Sequence, residues 1–92
     1  MVYLIAYSIS ERLYDYSGLK EYIKSLGRFQ HPIDDVWFVS ADFLDEKQEV
    51  ERMRHYLHSE KDMILITRLT ESSIQGWMPN AFWAWINSVT NA

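Results

Sequence analysis

The sequence predicts an α+β fold, a ferredoxin-like βαββαβ sandwich with an added C-terminal helix. Three observations carry this reading. Apolar segments follow the order strand, helix, strand, strand, helix, strand, helix. The strand segments are apolar on both faces, so both surfaces of the sheet want cover. Right-handed crossovers fold such a string with both main helices on one face. At 92 residues the expectation is one domain, 1–92, with one core, no room for a separate cofactor domain and no cofactor.

Val2 to Ile9 is almost continuously apolar, and Val2, Tyr3, Ile5, Tyr7 and Ile9 favour extended backbone, as expected of a central strand. Asp15 is placed to cap a helix whose apolar positions Leu19, Tyr22, Ile23 and Leu26 recur at helical spacing. Gly27 stands where a left-handed C-terminal cap is wanted. Arg28 to His31 and Asp35 to Ala41 read as a hairpin reversing at Pro32-Ile33-Asp34. In its second strand Val36 and Phe38 point one way and Trp37 and Val39 the other. Asp45 followed by Gln48 resembles a capping box, and Val50, Met53 and Leu57 mark a second helix running to about His58. Lys61-Asp62 breaks that pattern. Met63 to Leu69 is a further strand, and from Pro79 the residues Phe82, Trp85, Ile86 and Val89 share one side of a terminal helix.

The sheet face opposite the main helices then carries Trp37 or Phe38, with either Tyr3, Ile5 and Tyr7 or Leu4 and Ala6. An apolar surface of that kind marks an interface. The terminal helix would cover part of it, and a symmetric homodimer through the open sheet face would cover it fully.

Composition excludes several chemistries. Nearly half the residues are apolar and 15% aromatic, too rich for disorder. A net charge of −4 disfavours nucleic acid as a general partner, because the molecular field repels phosphate. Without cysteine there is no disulfide, thiolate nucleophile or thiolate metal site. No secretory pattern opens the sequence and no apolar run is long enough to cross a bilayer, so a soluble, cytoplasmic protein with no membrane partner is expected. Gly18, Gly27 and Gly76 are too scattered for a phosphate loop.

"YLIAYSIS" at 3–10, "DYSGLKEYIKSLG" at 15–27, "DVWFVSADFLDEKQ" at 35–48 and "MILITRLT" at 63–70 resemble the short SinR-like proteins, a group distinct from the helix-turn-helix regulators of similar name. That group is similar in fold to the small CRISPR-associated integration proteins and to virulence-associated protein D. The resemblance covers most of the chain through framework patterns. In the nuclease-like relatives the first strand ends in Tyr-Asp, and the aspartate, paired across a dimer, is the proposed metal ligand. Here Tyr7 is followed by Ser8, whose neutral hydroxyl is a weak ligand for hard divalent cations. The resemblance therefore implies a site that has lost its catalytic carboxylate. The alternative is an endoribonuclease in which Tyr7, Ser8, Ser10 and Glu11 rebuild the site with a shifted carboxylate.

Other residues carry candidate roles. Glu51, His55 and His58 have the spacing of an alternative metal site on one helix side, against the reading of a hydrated polar face. Lys20, Lys24 and Arg28, spaced by four, make a basic stripe able to meet phosphate or an acidic partner, or an ordinary solvated surface. "GWMPNAFWAW" at 76–85 holds three of the four tryptophans, and Trp77 and Trp83 fall on the side away from the core, where they would anchor a partner unless the segment caps the open end of the sheet. Asp34-Asp35 with Asp42 is a candidate cation site or, alternatively, turn chemistry. The expected function is a non-catalytic, dimeric binding module, with another protein or, against the charge balance, a regulated nucleic-acid assembly as partner and Tyr7, Trp37, Trp77, Trp83 and the basic stripe as its binding residues.

Overall fold

A computed structural model describes residues 1–10, 14–69 and 74–90. Its elements are β1 (Val2–Ser8), α1 (Ser17–Ser25), β2 (Arg28–Ile33), β3 (Val36–Ser40), α2 (Glu46–Arg54), β4 (Met63–Leu69) and α3 (Asn80–Thr90). The strands form one antiparallel sheet in the order β2-β3-β1-β4. The described residues thus make a small α+β fold of four strands and three helices, compatible with a ferredoxin-like type.

The central position of β1 explains its unbroken apolar character. Ile5 pairs with Trp37 on one side and Ile66 on the other, and Leu4 with Phe38 and Thr67. Alternation then sorts the side chains into two layers. Tyr3, Ile5, Tyr7, Trp37, Val39 and Ile66 pack with Leu19 and Ile23 of α1 and Met53 of α2. On the other face Val2 and Phe38 pack with Phe82 and Ile86 of α3, flanked by Leu4, Val36 and Leu69. The Leu4 and Ala6 set, with Phe38, therefore belongs to the second face, while Trp37 and the Tyr3 set lie under the main helices.

Local chemistry departs from the sequence expectation at four places. Gly27 has no left-handed backbone; glycine is required because a Cβ there would run into the Ser40 carbonyl of β3. Gly27→Ala is expected to cost about 1–3 kcal/mol as the β2-β3 pair is pushed from the end of α1, read as a lower denaturant midpoint at unchanged slope. At the start of α1, Tyr16 is the capping residue, and its side chain makes no capping bond to the helix end. Asp15 Oδ1 instead accepts the Ser17 N–H at 2.8 Å, one residue inside. The hairpin turns at Asp34-Asp35, not at Pro32-Ile33-Asp34, and Asp35 takes the left-handed conformation (φ 63°) that aspartate tolerates. Pro32 instead sits inside edge strand β2, beside an irregularity between Gln30 and Ile33. Finally, α2 ends at Arg54 rather than near His58. It starts as expected, with Asp45 Oδ1 accepting the Gln48 N–H at 3.1 Å. At its end Tyr56 and Leu57 close tighter three-residue bonds to Met53 and Arg54, which turn the chain out of the helix.

No helix among the described residues is long and apolar enough to cross a membrane.

Candidate functional site

At the end of β1 the polar residues converge on one carboxylate, Asp62, in the turn before β4. Oδ1 accepts the Ser10 N–H at 2.9 Å and the Ser10 hydroxyl at 3.0 Å. Oδ2 accepts the Tyr16 hydroxyl at 2.6 Å and the N–H groups of His58 at 3.0 Å and Ser59 at 3.2 Å. Desolvation alone would raise the pKa of Asp62. The bonds from the Tyr16 hydroxyl and the Ser10 and His58 N–H groups outweigh it and hold the carboxyl well below the usual carboxylate range. Donors from the exit of β1, the entry of α1 and the end of α2 are thereby fixed to one anion. Five bonds occupy the acceptor positions of both oxygens, so Asp62 is spent as a clasp and offers little to a metal ion or a transferred proton.

His58 stands in this cluster without completing a relay to Ser10. Its Nε2 lies 2.9 Å from the Asp15 carbonyl oxygen, and its ring stacks on Tyr14 (centroids 5.0 Å apart) and meets Tyr16 edge-on. The ring is tied to the segment leading into α1, and only its main-chain N–H meets Asp62. Ser8 is exposed at the end of β1. Glu11, the remaining carboxylate of the alternative catalytic set, lies outside the described residues.

The alternative metal site is not assembled. Because α2 ends at Arg54, His58 leaves the helix side it was expected to share with Glu51 and His55, and Glu51 pairs with Arg54 at 3.1 Å. Among the described residues no group of three or more His, Cys, Asp or Glu side chains is placed to hold a metal ion. Asp34-Asp35 is turn chemistry, with the Asp35 carbonyl accepting the Tyr7 N–H at 3.0 Å.

Two expected binding residues are interior. Trp37 is fully buried and donates its Nε1–H to the Tyr7 hydroxyl at 3.1 Å, and Tyr7 is itself buried. The polar tips of both rings are directed to each other inside the first core. The basic stripe is also interrupted: Lys20 and Lys24 are exposed on α1, but Arg28 opens β2 at a register position on the opposite sheet face. Lys24 is further engaged by Glu21 at 3.4 Å.

Trp77, in contrast, is fully exposed. Trp83 is half-buried against Phe82 at 5.3 Å between centroids, and both tryptophans line an open hollow of about 480 Å3 with Gly76, Met78 and Pro79. A second apolar surface lies where α3 stops covering the sheet. Ala6 faces Leu65 and Ser8 faces Met63 across β1 and β4, and these residues border a hollow of about 280 Å3. Leu65 is 58% exposed and Met63 64%.

Sequence reasoning missed the Asp62 clasp, whose only signal was the break at Lys61-Asp62. It also missed a buried carboxylate on α2. Glu49 accepts the Tyr22 hydroxyl at 2.6 Å and an Arg52 N–H at 2.6 Å. Burial and Glu49 together raise the Tyr22 phenol pKa, so the tyrosine stays a donor. The Glu49 to Arg52 spacing carried that signal.

Comparison of the chain with protein-family models, with curated proteins and with solved structures finds no match.

Proposed function

We propose that the protein is a non-catalytic binding module of ferredoxin-like fold, which forms a homodimer and engages a protein partner through the part of the second sheet face that α3 leaves open. One observation carries this reading: Met63 and Leu65 lie exposed beside Ala6, on a face whose other half is buried beneath Phe82 and Ile86. Contiguous apolar surface of this kind is what a partner covers. The βαββαβ order and the strand order β2-β3-β1-β4 support the ferredoxin-like assignment. The resemblance to SinR-like proteins points the same way, and Ser8 in place of the relatives' aspartate supports a binding role over hydrolysis. The net charge of −4 favours a protein partner over nucleic acid.

Two measurements test the reading. Light scattering at rising concentration is expected to approach twice the 11.0 kDa of one chain, and Met63→Arg is expected to return the mass to one chain with the fold retained. Incubation with labelled RNA and DNA in magnesium or manganese is expected to give no cleavage. Metal-dependent turnover that disappears in Glu11→Gln would replace this reading with the endoribonuclease resembling virulence-associated protein D.

A further inference from the structure

We infer that the dimer forms edge to edge along β4, joining two four-stranded sheets into one of eight strands. This rests on the dimeric reading above and specifies its geometry.

The two edges of the sheet differ. Strand β2 carries Arg28, His31 and Pro32 and an irregularity between Gln30 and Ile33, features that keep another strand from pairing. Strand β4 has none of these. It runs MILITRL with a single charge, Arg68, and pairs with β1 without interruption from Met63 to Leu69. Among the described residues β1 is its only strand neighbour, so its outer row of N–H and C=O groups is a straight template for an extended chain.

The sequence of β4 suits a second copy of itself. In an antiparallel pairing centred on Ile66, Leu65 stands opposite Thr67 of the second copy, Met63 opposite Leu69 and Ile64 opposite Arg68. The two Arg68 side chains are then offset by four residues, roughly 13 Å at strand rise, beyond a Debye length at physiological salt. Every directly opposed pair is apolar or mixed, and none sets like charges together. The two-fold axis also sets the exposed Leu65 of both copies diagonally across it on one face, with each Met63 opposite the other copy's Leu69, in an apolar strip along the seam. A single shared strand edge is a small interface, below about 1,200 Å2, so the dimer is expected to be concentration-dependent.

The chain contains no cysteine, so introduced thiols report this register directly. Leu65 and Thr67 are both exposed, and either accepts the change without loss of core. Oxidation of an equal mixture of Leu65→Cys and Thr67→Cys chains is expected to yield the mixed disulfide at least tenfold over either like pair. Opposed positions fall within disulfide reach and the like pairs do not. In the unmodified protein the amides of β4 are expected to exchange more slowly as concentration rises. A mass of one chain at every concentration would overturn this geometry and the dimer together. A doubled mass without preference for the mixed disulfide and without protection of β4 amides would overturn the edge pairing alone and leave a face-to-face dimer standing.

Discussion

Asp62→Asn is expected to lower the unfolding free energy by about 3 kcal/mol, or on the order of 15 °C in Tm, although the change is isosteric and removes no apolar contact. Asparagine keeps one acceptor oxygen and replaces the other with an NH2 group. Donors now held on Oδ2, the Tyr16 hydroxyl and the His58 and Ser59 N–H groups, would face a donor, or Ser10 would. Charge-assisted bonds to a carboxylate are about twice as strong as neutral ones, so the loss exceeds that of an ordinary bond. Water reaches the half-buried side chain and replaces part of it, which keeps the cost near the scale of one or two such bonds. Equilibrium denaturation measures the effect, and an unchanged midpoint would show that the turn before β4 is held by something else.

The same clasp sets the acid limb of stability. In the unfolded chain Asp62 takes up its proton near pH 3.8, and in the folded protein only at far lower pH. Below about pH 4 the unfolded state therefore binds more protons, and the contribution of Asp62, fully present above that pH, is lost as pH falls. Asp15, lowered chiefly by the Ser17 N–H, acts in the same direction over the same range. His31 works in a higher window. It stacks on Trp37 with ring centroids 3.8 Å apart, and burial lowers its pKa below the ordinary 6.5, so stability declines as pH drops below that value. A titration of stability against pH is expected to fall in two stages, and Asp62→Asn is expected to flatten only the lower one.

What the sequence disclosed depended on the range of the interaction. Strand β4 was legible to its exact ends, because a run of β-branched and apolar residues is a local pattern. The two-sidedness of β3 was legible too, since alternation alone separates Trp37 from Phe38. Gly27 was placed correctly at the end of α1 but for the wrong cause, because the obstruction comes from Ser40, thirteen positions on. Alternation cannot say which side of the sheet the helices take, so the sequence alone offers Trp37 and Tyr7 as binding residues. Only the packing of Leu19, Ile23 and Met53 decides it. Asp62 left almost no trace, since three of its five bonds come from Ser10 and Tyr16, far away in sequence. The His58 ligand reading failed on a helix that ended one turn early.

Phe82→Ala is expected to have the largest effect on the second face, about 3–5 kcal/mol, and to act mainly through α3. The Phe82 ring meets Phe38 edge-on at 4.8 Å and joins Val2 and Ile86 in a layer separate from the one beneath α1 and α2. An 11-residue helix is marginal in water without tertiary contacts, so once its central anchor is gone α3 has little reason to remain docked or helical. Hydrogen exchange is then expected to show lost protection over 80–90, while β1, β3 and the two main helices keep theirs. Binding of an apolar dye is expected to rise several-fold as Phe38 and Val2 are uncovered. Trp77→Ala provides the contrast. That ring is fully exposed, and its removal is expected to change stability by less than about 0.5 kcal/mol. If Phe82→Ala instead melts the whole chain in one step with no partly open state, the two layers are a single cooperative unit. The open strip beside Leu65 would then owe its existence to the sheet rather than to the limited reach of α3.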